Sequence, residues 1–218
     1  MNPPKQIWQA IAEDIKENIL NGIYKPDDRL KETELAKKYS VSKTPVREAL
    51  RHLGSMGFVE IIPNRMARVS RMHKKDVQTL YRIEAFLEGL AAREALANLT
   101  EKDLKKMENY GGLIEKYSVE KRSREYEKAN IQFHSILWNA SKNRKLIDMI
   151  SFVRGQLQRF RSITRQYPER FRDLAGDHRK IIQAARDKDG DRIEAISRDH
   201  VEKQEKYILD ILERGNHI

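Results

Sequence analysis

The chain has 218 residues, 39% of them apolar and 35% charged, with no cysteine and a formal net charge of +10. That length fits one small domain plus one medium one, with enough apolar residues to build a core. The lack of cysteine excludes disulfides, thiolate catalysis and cysteine-based zinc sites, and no apolar run approaches the roughly 18–20 residues needed to span a bilayer. The N-terminal stretch has acidic residues inside its apolar pattern and no secretory cleavage region, so a soluble cytoplasmic protein is expected.

In chain order, Ile7, Ile11, Ile15 and Ile19 mark one stripe of an amphipathic helix over Ile7–Asn21, which Gly22 stops. Leu35–Tyr39 predicts a short helix and Ser40-Val41-Ser42 a turn. Thr44–Leu53 then predicts a second helix with Val46, Ala49, Leu50 and Leu53 facing inward. Pro45 suits a first helical turn, where its missing N–H costs nothing. Phe58–Ile62 and Ala67–Val69 read as a hairpin with Pro63-Asn64-Arg65-Met66 at its tip. Residues 1–70 are thus expected to form a winged helix-turn-helix, a device for reading duplex DNA.

The charge distribution agrees. Residues 1–34 hold five Lys/Arg against seven Asp/Glu, whereas residues 35–71 hold eight against two. Lys37, Lys38, Lys43, Arg47, Arg51, Arg65, Arg68 and Arg71 crowd onto the second helix, its flank and the wing. Phosphate neutralisation by such a cluster makes DNA affinity strong and salt-dependent.

A linker near Ser70–Lys74, not enriched in Pro or Gly, predicts a semi-rigid connection to residues 75–218. Those residues read as helix throughout: Lys75–Asn98, Thr100–Glu120, Arg124–Ala140, Arg144–Arg165, Phe171–Asp187 and Asp191–Arg214. Thr100 to Asp103 has the spacing of a capping box, and Asp187-Lys188-Asp189-Gly190 is a turn. The expected fold is therefore mainly α, a winged helix-turn-helix followed by an all-helical antiparallel bundle. Asn130 and His134, four apart, share one helix face; His178 and His200 stand on later helices. By pattern alone, scattered histidines are more often surface or core residues than metal ligands.

The run Leu30 to Phe58, and above all Val41-Ser42-Lys43-Thr44-Pro45-Val46-Arg47-Glu48-Ala49-Leu50, resembles the GntR family of bacterial transcription regulators. The resemblance implies that Lys43, Thr44 and Arg47 lie at the DNA, with Arg51 and Arg65 on the recognition helix and wing. An arginine at position 47 suits paired hydrogen bonds to guanine O6 and N7. Three departures stand out: Thr33 where relatives often carry a DNA-contacting Arg, Asp27 in place of a glycine, and Met66 where a wing-tip glycine is usual.

Beyond residue 75 the chain resembles the FadR-type branch with its FCD ligand-binding domain. The markers are Leu80 to Ala92, Asn130-Ile131-Gln132-Phe133-His134, Ala140 to Asn143, Asp177-His178-Arg179 and His200. The resemblance implies a divalent-metal site at Asn130, His134, His178 and His200, with Zn or Ni the favoured ions. Aspartate is common at the first position, so Asn130 leaves the site one charge more positive and favours an anionic effector. Arg82 is expected to clamp the carboxylate of a small organic acid. A homodimer binding a pseudo-palindromic operator, probed by two such domains, completes the expected reading. Repression relieved by effector is the commoner mode among relatives. Two rivals are the same regulator with a metal-free effector site and a metal-dependent hydrolase, the latter lacking an obvious general base.

Overall fold

The computed structural model describes residues 6–62, 66–71, 73–164 and 167–214. The chain divides into two compact units, Met1–Met72 and His73–Ile218.

In the first unit, α1 (Ile7–Leu20) buries Ile11, Ala12, Ile15 and Ile19, while Ile7 at its start is exposed. Asp27 takes a positive φ of 70°, a conformation glycine adopts freely and other residues rarely do. Arg71 holds it there, Nε donating to the Asp27 carboxylate at 2.8 Å. The strands β1 (Arg29–Leu30), β2 (Val59–Ile62) and β3 (Met66–Val69) form one antiparallel sheet in the order β1-β3-β2. The wing expected to have two strands thus has three. Two residues are too few to show alternation, so β1 leaves no period in the sequence; its buried Leu30 seals the sheet against the core.

The helix α2 (Glu32–Tyr39) starts three residues before the expected boundary. Glu32 and Glu34 occupy its first turn, where the positive end of the helix dipole favours acids. Ser40, left-handed at φ 55°, turns the chain sharply into α3 (Lys43–Ser55). Val46, Ala49, Leu50 and Leu53 of α3 pack with Ile15, Phe58 and Val69, each large side chain contributing about 1.5–3 kcal/mol by burial.

The second unit comprises α4 (Lys74–Ala95), α5 (Glu101–Val119), α6 (Ser123–Ala140), α7 (Arg144–Thr164), α8 (Phe171–Arg186) and α9 (Gly190–Arg214). One 3-10 turn, Pro168–Arg170, leads into α8. Helix α4 packs on α9, α7 and α6, while α5 packs on α6 and α8. Met107, Ile114, Phe133, Ile181 and Ile193 fill the core. Thr100 Oγ1 accepts from the Asp103 backbone N–H at 3.2 Å, and Asp103 reaches back to the Thr100 N–H, the capping box expected from the sequence. At Gly89 a Cβ would stand 2.6 Å from Arg198 Cγ and 3.1 Å from the Glu194 carbonyl, so glycine is what lets α4 approach α9.

Candidate functional site

Two sets of side chains could bind something, one in each unit. In the first, α3 buries its apolar face and leaves Lys43, Thr44, Arg47 and Arg51 exposed, as does Thr33 on α2. Arg47 is not idle: its Nε donates to Glu32 Oε2 at 2.7 Å. Sequence reasoning missed this pair, because Glu32 lies fifteen residues away across the turn. The basic surface is also smaller than the charge count implies. Lys38 Nζ donates to Asp14 on α1 at 3.0 Å, Arg68 pairs with Glu60, and Arg71 pairs with Asp27. Lys37, Lys43 and Arg51 are exposed and have no ion-pair partner among the described residues. Arg65 lies outside the described residues.

In the second unit, α6 carries Asn130 and His134 one turn apart, α8 carries His178 and α9 carries His200. The three histidines are 3%, 0% and 0% exposed. One ring nitrogen from each can be chosen so that all lie within 4.8 Å of one another. Asn130 Oδ1 stands 2.8 Å from His178 Nε2. Phe133 presses edge-on against His178, its centroid 4.7 Å away, and fixes that ring.

Both nitrogens of His134 and both nitrogens of His200 are buried without a hydrogen bond. The two Nδ1 atoms have carboxylates at 3.6 Å, which leaves Nε2 of His134 and Nε2 of His200 as the unanswered pair, each costing about 1–3 kcal/mol. His178 differs, having a partner on each side: Nδ1–H can donate to the Ala175 carbonyl at 3.3 Å, and Nε2 stands 2.8 Å from the Asn130 side-chain amide. Protonation does not relieve His134. Burial, then repulsion from His200, depresses the His178 pKa to about 3; burial, then His200 and His178, holds His134 well below the usual range. A divalent cation among these rings would use the inward lone pairs and let Nδ1 of His178 donate to Ala175. The residues present therefore fit such an ion, with three imidazoles and one amide oxygen as its donors.

Carboxylates stand behind the rings. Glu88 Oε2 is 3.6 Å from His134 Nδ1, and Asp177 Oδ2 is 3.6 Å from His200 Nδ1. Burial would raise the Asp177 pKa, but His200, Lys203 and Lys180 face its oxygens and hold it well below the carboxylate range. Glu88 goes the other way: burial and the neighbouring Glu84 raise it despite Arg154. Trp138 Nε1 donates to Glu88 at 2.6 Å, and Arg154 donates to Glu84 and Glu88 at 3.1 Å each. Arg161 Nη2 donates to both oxygens of Glu84, at 2.7 and 2.5 Å.

Asn130 also borders a cavity of about 190 Å³ that Tyr126, Arg154, Arg161, Arg170 and Tyr207 help to line. Arg82 does not line it. The inward stripe of α4 is Val77, Tyr81, Glu84, Ala85 and Glu88, so the residue after Tyr81 is turned out to solvent. Among the described residues, the arginines that line the cavity come instead from α7 and the turn before α8.

The family model described as "Bacterial regulatory proteins, gntR family" matches residues 8–69, and the FCD domain model matches residues 79–203. The uncharacterized HTH-type transcriptional regulator YdhC of Bacillus subtilis (strain 168) is 26% identical over 99% of this chain and 96% of its own length. The HTH-type transcriptional repressor RspR of Escherichia coli (strain K12) is 23% identical over 99% and 95%. The solved structure of E. coli McbR/YncC, 21% identical, covers 95% of this chain and 99% of its own with a TM-score of 0.76, a likeness of fold. The chain belongs to the gntR family of bacterial regulatory proteins with a C-terminal FCD domain, and is a DNA-binding transcription regulator.

Proposed function

We propose that this regulator is a homodimeric repressor whose FCD domain holds one divalent ion, zinc or nickel, at Asn130, His134, His178 and His200. A small organic acid entering the adjoining cavity would release it from a pseudo-palindromic operator. The observation that supports this most is the convergence of His134, His178 and His200, whose ligand atoms lie within 4.8 Å of one another, with no hydrogen bond to any ring nitrogen of His134 or His200. When bound, the ion would supply positive charge and open coordination positions for an acid oxygen. Around it the chain's own residues orient the rings: Glu88 behind His134, Asp177 behind His200 and the Ala175 carbonyl behind His178.

The sign of regulation is carried over from the name of RspR, and the acid can shift operator affinity only by binding one arrangement of the protein better than another. Self-association draws support from an exposed stripe of Ile83, Phe86 and Leu90 on α4, with Met149 and Phe152 exposed on α7. Hydrolysis finds no support here. Both carboxylates beside the cluster are engaged, Glu88 by Trp138 and Arg154 and Asp177 by Lys203 and Lys180, so neither stands free as a general base.

Fluorescence anisotropy of the chain's own promoter against a random duplex, at several salt concentrations, tests the reading. Tight promoter binding that weakens on adding acid to metal-loaded protein is expected. Equal binding to both duplexes, or no response to any small acid, would contradict it.

A further inference from the structure

Among the described residues, three arginines line the cavity beside Asn130, and their charges are answered unequally. Arg161 is held by both oxygens of Glu84, and Arg154 by Glu84 and Glu88. Arg170 is only 8% exposed, and among the described residues no carboxylate lies within ion-pair distance of it. Its Nε and Nη1 are buried without a hydrogen bond, as is Nε of Arg161. What touches the Arg170 guanidinium instead is aromatic, with the Phe171 ring centroid at 5.6 Å and the Tyr207 centroid at 5.8 Å. Stacking on rings offsets part of the desolvation of a cation and gives its N–H groups no acceptor. A buried guanidinium left this way is a standing cost unless something else supplies the anion.

We propose that Arg170 is the anion anchor of the cavity, taking one carboxylate of a small two-ended organic acid whose other end reaches Asn130, the residue of the histidine cluster that borders the cavity. The far end of this assignment rests on the metal-site reading; the Arg170 end does not. The walls define the body of the ligand. Tyr126, Phe171, Leu174 and Ile208 are apolar surfaces, so the space between the two ends suits a short carbon skeleton rather than a bare inorganic anion. The volume, about 190 Å³, is little larger than the roughly 150 Å³ that accommodates benzene. Arg161 lines the same cavity, and its hold on Glu84 keeps it in place.

Isothermal calorimetry on the full metal-loaded chain, with succinate, butyrate and inorganic phosphate as probes, tests this. Succinate should bind, butyrate should bind more weakly, and phosphate should bind weakest. Arg170→Gln should weaken succinate by about tenfold or more and bring it near butyrate, while metal content stays at the wild-type level and Arg82→Ala binds succinate normally. Arg170→Met, which removes the unanswered charge, should raise the ligand-free unfolding midpoint; a residue there only for packing would lower it when replaced. Unchanged succinate affinity in Arg170→Gln, or no heat from any of the three probes with the wild type, would overturn the anchor. If the protein proves to hold no metal and Arg170 still governs acid binding, the anchor stands and the metal reading falls.

Discussion

Removing the carboxylate of Glu84 isolates the electrostatic core of the FCD domain in one step. Glu84 is 0% exposed and accepts two hydrogen bonds from Arg161 and one from Arg154. In Glu84→Gln the side chain keeps its volume and loses its charge. Arg154 retains Glu88, but Arg161, buried beside Tyr81, is left without a counter-charge. Burial raises the carboxyl's pKa, yet Arg161 and Arg154 outweigh it and hold Glu84 ionised, so the pair is a charged one at neutral pH. Breaking a buried ion pair from one side costs about 3–5 kcal/mol. For a domain of this size, about 2–4 °C of midpoint is lost per kcal/mol, so a drop of roughly 6–20 °C is expected. Trp138, which donates to Glu88 in the same network, reports unfolding by fluorescence once Trp8 in the other unit is replaced by Phe. A loss below about 1 kcal/mol, the range of exposed surface pairs, would refute the claim that this pair is buried and charged. The double variant Glu84→Leu with Arg161→Met should recover most of the loss, since a well-packed apolar replacement is often neutral or stabilising.

Arg47→Ala should weaken binding to the chain's own promoter by about 1–3 kcal/mol with the oligomeric state intact, as read by anisotropy and light scattering; an unchanged footprint would remove Arg47 from the interface. Glu32→Gln, which frees Arg47 from its 2.7 Å pair, should tighten promoter binding several-fold, and weaker binding would show that Glu32 positions Arg47 rather than competing with DNA. In metal-free protein, His134 and His178 are neutral when folded and protonate near the ordinary 6.5 when unfolded. The unfolded state then binds more protons, so stability is present above that value and falls as pH drops from 6.5 towards about 3, by up to about 2–3 kcal/mol per pH unit. Chemical denaturation at several pH values checks this, and a flat profile would contradict the neutral buried rings. Gly89→Ala should destabilise the FCD domain by about 1–3 kcal/mol in the same assay, because its methyl meets Arg198 and the Glu194 carbonyl; a neutral result would mean α4 and α9 can separate freely.

Much of this molecule was legible before its structure. The helices of the second unit lie within three residues of their expected bounds, because apolar periodicity over long segments and caps such as Thr100 with Asp103 are local signals. Asn130, His134, His178 and His200 meet as the family resemblance implied, although nothing in their spacing alone brings three helices together. What escaped was contact across distance. The inward stripe of α4 runs through Tyr81, Glu84 and Glu88, two of them acids that break the apolar pattern by which a buried face is found, and Arg82 beside it is exposed. Arg170 sits in a 3-10 turn with no period to mark it, and β1 is too short to have one. The ion pairs of Arg47 with Glu32 and of Lys38 with Asp14 cross between helices, so counting charge along the chain overstated the free basic surface.

The most direct test of the proposed metal site is the metal content of the full chain, purified without a nickel column, measured by elemental analysis beside His134→Ala. About one zinc or nickel ion per chain in the wild type, lost in the variant while its helical circular dichroism persists, is the predicted result. A folded wild-type protein that takes up no divalent ion even after incubation with zinc and nickel would contradict it, and would show that the orphaned nitrogens of His134 and His200 serve no cation.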